Sequence, residues 1–192
     1  MPGKKNKIII IAAPSGAGKT SVVRHLLKRL PDRLSFSISA ATRKARENEK
    51  DGVDYYFISV PEFEQKIAED AFVEWEMVYE GKYYGTLKQE VERIWNEGKL
   101  PLLDVDVRGG IHVQEKFPGR TLSLFIEPPS IDVLEQRLRS RGTETEESLK
   151  ARLSKAAYEL SFKDRFDYVI LNDKLERACA EAEALVRVFL GN

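Results

Sequence analysis

The sequence predicts an α/β protein built on a wound parallel sheet with helices on both faces. Three observations predict it. Apolar runs without polar alternation recur along the chain. Amphipathic helical patterns separate them. The first run passes through a glycine-rich turn directly into a helix. Strands covered on both faces read as continuous apolar runs, and strands alternating with helices imply parallel crossovers.

Taken in order, Ile8-Ile9-Ile10-Ile11 is the first buried strand. Residues 19–30 form a helix with apolar Val22, Val23, Leu26, Leu27 and Leu30, stopped by Pro31. Residues 34–40 alternate more and read as a strand near an edge. Residues 41–86 break the rhythm and read as a small insertion. It has strands at 54–60 and 72–79 around a helix opened by Pro61. Leu100-Pro101-Leu102-Leu103, Leu122-Ser123-Leu124-Phe125-Ile126 and Tyr168-Val169-Ile170-Leu171 complete the apolar strands. Residues 130–162 read as a charged helical hairpin, a mobile flap whose polar turn runs from Arg141 through Glu147. The last helix, 175–190, carries one apolar face, and Asp173 with Glu176 fits a capping box for it.

The chain has 192 residues, which suits one domain of the usual ~100–200 residues. Its formal net charge is zero, which argues against a general nucleic-acid binder with its basic excess. Hydrophobic residues at 42% fit a globular protein and not a disordered one. The apolar stretch at 8–14 is far short of the ~20 residues that span a bilayer. It follows a basic start but runs into the glycine-rich turn, unlike a signal peptide. The single cysteine, Cys179, permits neither an internal disulfide nor a zinc cluster and reads as a small core residue. A reduced, cytoplasmic location is expected, with no membrane and no nucleic-acid partner; the oligomeric state is left open. His25 and His112 read only as helix-surface or packing positions.

The clearest motif is Ala13-Pro14-Ser15-Gly16-Ala17-Gly18-Lys19-Thr20. It follows a strand and opens a helix, the context that a phosphate-binding P-loop requires, and so specifies a P-loop NTPase fold. Gly16 and Gly18 let backbone N–H groups turn toward phosphate oxygens, and the helix N-terminus adds its positive dipole end. Lys19 would reach the β- and γ-phosphates of a bound nucleotide, and Thr20 would ligate Mg²⁺. The motif departs from G-x-x-x-x-G-K-[ST] only at Ala13. The competing reading is a glycine-rich turn with an incidental lysine.

Asp104 and Asp106 stand at the C-terminal end of an apolar strand, where open parallel sheets bind ligands. Either could support Mg²⁺, or the pair could cap the turn into the helix near Val107. In the insertion, Arg43 and Arg46 with neighbouring tyrosines could grip a second phosphate, or form a solvated charged loop. Tyr83 and Tyr84 read alternatively as edge-strand aromatics. Thr86 with Gln89 also fits a capping box. On strand alternation, Phe72 and Glu74 share a face, which places Glu74 in a polar cleft or against a ligand. A purely structural Glu74 would point to solvent with Trp75 buried.

Together these pieces resemble the guanylate kinases, a family of nucleoside monophosphate kinases, in order from Ile8 to about Asn172. The family's S-x-S-x-T-T-R-x-x-R is similar to Ser37 through Arg46, its G-x-x-Y-x-F to Gly52 through Phe57, and its F-[IL]-E to Phe72-Val73-Glu74. Its Y-Y-G-[ST] resembles Tyr83-Tyr84-Gly85-Thr86, and its L-D-[IV]-D-x-x-G resembles Leu103 through Gly109. The lid pattern R-L-x-x-R-G-x-x-[ST]-E-E resembles Arg137 through Glu147, and V-[IV]-x-N-D resembles Val169 through Asp173. Ala41 replaces a threonine, Ala45 a proline and Arg108 a glutamine, and one extra residue lies between Glu74 and Tyr83.

The resemblance implies one guanylate-kinase-like domain. Its core would comprise about 1–37, 88–129 and 163–192, with a GMP-binding insertion at about 38–87 and a lid at about 130–162. It implies ATP-dependent phosphorylation of GMP, with Mg²⁺ held by Thr20 and Asp104. Arg43, Arg46, Tyr55 and Tyr84 would hold the GMP phosphate. Glu74 would accept from guanine, with Ser39, Thr86 and Asp106 completing base recognition. Lys19, Arg141 and Arg152 would clamp the transferred phosphoryl group, and Asn172 would lie beside the adenine of ATP. The residues alone leave Arg141 and Arg152 open to a second reading, a salt-bridged hairpin with Glu146 and Glu147. Two rival functions remain: a kinase of another acceptor such as AMP or dTMP, and a non-catalytic phosphopeptide-binding module of the same fold.

Overall fold

The computed structural model describes residues 6–140 and 145–191. The strands are β1 (Ile8–Ala12), β2 (Leu34–Phe36), β3 (Ser39–Ala41), β4 (Tyr55–Phe57), β5 (Phe72–Tyr79), β6 (Lys82–Leu87), β7 (Leu100–Val105), β8 (Thr121–Glu127) and β9 (Tyr168–Leu171). The helices are α1 (Lys19–Arg29), α2 (Val60–Ala68), α3 (Lys88–Asn96), α4 (Val107–Lys116), α5 (Ile131–Arg139), α6 (Glu146–Leu160) and α7 (Leu175–Leu190).

The main sheet has the order β2-β7-β1-β8-β9, and every pairing in it is parallel. Its central strand explains the apolar runs. Ile9 and Ile11 pack on one face with Val22, Leu26, Ala182 and Val186, from α1 and α7. Ile8 and Ile10 pack on the other with Val91, Val107 and Val113, from α3 and α4. Successive side chains point to opposite faces, so burying both faces leaves no polar position in β1.

The second sheet, β4-β3-β6-β5, is mixed: β3 and β4 are parallel, the other pairs antiparallel. It has its own small core of Ala40, Phe63 and Phe72, with the Phe63 and Phe72 rings stacked at 4.4 Å. Its helix α2 starts where Ser59 Oγ accepts from the Glu62 amide and Pro61 sits in the first turn.

Several expectations change. Residues 34–40 are two strands: β2 is the edge of the main sheet, and β3 lies in the second. The chain changes sheets at Ser37 and Ile38, where the Ile38 amide donates to Glu90. The strand expected at 54–60 is only Tyr55–Phe57, because Ser59 already caps α2. Tyr83 and Tyr84 are on an interior strand, not an edge. Neither expected capping box forms at α3 or α7. Thr86 gives its hydroxyl to Glu74 instead, and α3 has Leu87 as N-cap. Asp173 accepts from the Lys174 amide and pairs with Arg177. The hairpin pair α5 and α6 forms, each capped by a hydroxyl, from Ser130 and Thr145 respectively. Arg141 and its neighbours through Glu144 lie outside the described residues. Cys179 is buried in the larger core, as expected.

Candidate active site

The phosphate loop lies between β1 and α1. Gly18, at φ +98°, is the N-cap of α1 and offers no capping side chain, so the first helical N–H groups face the cleft. A Cβ on Gly18 would collide with Asn172 Nδ2, so glycine is required there by both backbone and space. Asn172 is buried beneath the loop and donates from Nδ2 to the Ala17 carbonyl at 2.7 Å. Its own carbonyl accepts from Arg137 at 2.9 Å. Asn172 Oδ1 is buried without a protein partner.

Lys19 reaches across to the end of β7. Its Nζ lies 2.5 Å from Asp104 Oδ1 and donates to the Val105 carbonyl at 2.8 Å. Burial works against the ammonium, but Asp104, helped by Tyr55 and Asp106, holds the Lys19 pKa above the ordinary lysine value. Asp106, two residues on, caps α4: its Oδ1 accepts from the Gly109 amide at 2.8 Å. Of the two strand-end acids, Asp106 therefore caps the helix, and Asp104 pairs with Lys19 of the phosphate loop.

Glu74 sits opposite. It is 6% exposed, while Trp75 is 40% exposed, the reverse of the pattern for a solvent-facing glutamate. Alternation alone does not produce this. A bulge in β5 between Phe72 and Glu74 sends Phe72 into the small core and Val73 into the main one, so Phe72 and Glu74 do not share a face as expected. Glu74 Oε1 accepts from Thr86 Oγ1 at 2.6 Å and from the Thr86 amide at 3.1 Å. A Cβ on Gly109 would fall 2.6 Å from Glu74 Oε2, so that glycine lets the carboxylate approach α4. Burial raises the Glu74 pKa to about 7; the Thr86 hydroxyl opposes the rise, and Asp106 and Glu76 add to it.

Ser15, Gly16, Gly18, Lys19, Thr20, Ser39, Tyr55, Glu74, Tyr84, Asp104, Asp106 and Arg152 line one cleft of about 300 Å³, together with Ala13 and Pro14. Arg152, from α6, donates to Ser15 Oγ at 2.9 Å. Arg43 stands just behind. Its Nε donates to Tyr84 Oη at 3.0 Å, and it lies over the Tyr55 ring at 5.0 Å. Arg46 is nearby but exposed. Thr86, Ala17 and Asn172 support the walls rather than line them.

Four charged groups in or beside the cleft escape the sequence reading. Glu49 takes a two-pronged ion pair from Arg43, at 2.5 and 2.7 Å, which lowers the Glu49 pKa and raises that of Arg43. Glu76 lines the cleft and faces His112 at 3.2 Å. Lys155 and Glu159 line it from α6. The signal for the last two was present: Arg152, Lys155 and Glu159 are spaced three and four apart, on one helix face.

A phosphate loop at the end of a parallel strand, facing buried acceptor groups across one cleft, defines a nucleotide-dependent phosphotransferase of the P-loop class. The comparisons with known proteins narrow the class. The guanylate kinase family model matches residues 5–188. The chain is 49% identical to a guanylate kinase of Bacteroides fragilis, over 96% of this chain and 90% of that one. It is 47% identical to one of Chlorobium chlorochromatii, covering 96% of both. A crystal structure of guanylate kinase from Anaplasma phagocytophilum superposes with a TM-score of 0.75 at 28% identity, covering 97% of this chain and 87% of that one. The chain belongs to the guanylate kinase family, and it is a kinase.

Proposed function

We propose that this protein transfers the γ-phosphoryl group of ATP to GMP, giving ADP and GDP. The observation that carries the reading is Glu74: a buried carboxylate opposite a phosphate loop, oriented by Thr86, in the same cleft as Lys19 and Arg152. A carboxylate only accepts, so it matches the adjacent N1–H and 2-amino donors of guanine and leaves the N1 acceptor of adenine unpaired.

The remaining residues divide the work. Tyr84 accepts from Arg43, which leaves its hydroxyl hydrogen for a phosphate oxygen. Arg43, held by Glu49, and Arg46 supply the positive charge for the GMP phosphate, and Tyr55 a second hydroxyl. Ser39 and Asp106 border the base, and Thr86 fixes the carboxylate that reads it. Lys19 turns from Asp104 to the β- and γ-phosphates, and Arg152 neutralises the transferred group, with Arg141 as its partner. Phosphoryl transfer needs chiefly such positioning and neutralisation of spread negative charge. Asn172 supports the loop under the adenine side.

Thr20 and Asp104 are hard oxygen donors on the same cleft, and they fit Mg²⁺ bound largely through phosphate oxygens and water. Among the described residues no group of three or more His, Cys, Asp or Glu could hold a metal ion. Mg²⁺ would draw charge from the phosphates. The reading divides the chain into a core of about 1–37, 88–129 and 163–192, an acceptor insertion of about 38–87 and a lid of about 130–162. The separate second sheet and the α5–α6 pair support that division. No helix among the described residues is long and apolar enough to cross a membrane. A reduced cytoplasmic setting suits the buried, unpaired Cys179.

A coupled assay of ADP formation with GMP, AMP, dTMP and UMP tests the assignment. Turnover should be highest with GMP; preference for another acceptor would displace it.

A further inference from the structure

One face of α6 touches both ends of the cleft. Arg152 donates to Ser15 of the phosphate loop. Three residues on, Lys155 Nζ lies 3.6 Å from Asp106 Oδ2, at the end of β7, and 3.5 Å from Glu159 Oε1. Arg152, Lys155 and Glu159 all line the cleft. Asp106 commits its Oδ1 to the cap of α4, so Oδ2 is the oxygen turned to the lysine. Asp106 and Glu74 flank the same glycine: a Cβ on Gly109 would lie 3.1 Å from Asp106 Oδ1 and 2.6 Å from Glu74 Oε2. Lys155 therefore stands where the acceptor-base end of the cleft meets the helix that carries a phosphoryl-clamping arginine.

We propose that Lys155 is a positioning residue: by gripping Asp106 it sets α6, and with it Arg152, in register with the bound acceptor. The proposal rests on the assignment of Asp106 to the GMP site. Two carboxylates, Asp106 and Glu159, flank the ammonium, and Glu159 is nearly buried. The lysine offsets their mutual repulsion and ties them together. At 3.6 Å the pair with Asp106 is long enough for a donor on the acceptor base to share Oδ2. Acceptor binding is thereby felt one helical turn away, at Arg152.

Steady-state kinetics on the full chain test this with Lys155→Met, Lys155→Gln, Lys155→Arg, Asp106→Asn and the Lys155→Met/Asp106→Asn double variant. Asparagine also caps helices well, so Asp106→Asn should keep α4. Lys155→Met and Lys155→Gln should lower kcat about tenfold while the KM for ATP stays within about twofold, and Lys155→Arg should recover most of the loss. The double variant should be no slower than Asp106→Asn alone, because the two residues act as one unit. A merely structural lysine would lower the melting temperature without this split or this non-additivity. Unchanged kcat in both neutral variants, or losses that multiply in the double variant, would overturn the proposal alone. Unchanged GMP kinetics in Asp106→Asn would instead overturn the acceptor assignment, and the proposal with it.

Discussion

Thr86 Oγ1 donates to Glu74 Oε1 at 2.6 Å, and this bond orients a buried carboxylate that burial has made easy to protonate. The Glu74 pKa is raised to about 7, from a usual value of 4.5. Only the ionised form can accept both guanine donors, so GMP affinity should improve as pH rises through about 7. Stability runs the other way. The folded chain holds a proton that the unfolded chain releases, so this group's contribution weakens the fold as pH climbs from 4.5 to about 7. Denaturation of wild type and Glu74→Gln at pH 5 and pH 8 checks the sign. The variant should lose less stability than wild type across that interval.

Lys19→Ala should lower turnover on the order of a hundredfold to a thousandfold, since it removes a preorganised cation from the developing charge. The fold should survive with a lowered melting temperature, because Asp104 loses the ammonium 2.5 Å away. Adding Asp104→Asn should recover the melting temperature but not the turnover. Wild-type turnover of Lys19→Ala with MgATP would dismiss the phosphate-loop assignment.

Arg152→Met should lower kcat on the order of a hundredfold and leave the GMP dissociation constant within about twofold. It donates to Ser15 of the phosphate loop, whereas the Tyr84 hydroxyl takes its hydrogen bond from Arg43. Stopped-flow binding of GMP beside steady-state turnover separates the two quantities. Weakened GMP binding with intact kcat would place Arg152 on the acceptor instead.

The main sheet was legible because its inner strands β7, β1 and β8 are largely buried on both faces: the isoleucines of β1 have no solvent side to betray a period. The apolar run at 168–171 gives a strand too, but β9 is an edge that leaves Tyr168 and Leu171 exposed rather than buried. The division of residues 34–40 was not, since two strands of three residues each are too short to display their faces. The phosphate loop was legible as strand, glycine turn and helix in sequence. Glu74 was placed in the cleft correctly but by an incomplete argument, because alternation contains no signal for the bulge that turns it there. Glu49 could not be read as a partner of Arg43 without knowing how the intervening loop folds back. Lys155 could have been read, as its spacing from Arg152 and Glu159 already fixes a shared helix face.

The central claim is that Glu74 reads the acceptor base, and calorimetric titration of Glu74→Gln with GMP and ATP separately tests it most directly. The substitution replaces one acceptor oxygen by an NH₂ donor and sets it against guanine's own donors. GMP affinity should fall by about 1.5–3 kcal/mol, the range for a hydrogen bond to a charged group. ATP affinity should stay at the wild-type value, because the phosphate loop is untouched. Equal GMP binding in variant and wild type would remove Glu74 from the acceptor site and contradict the account.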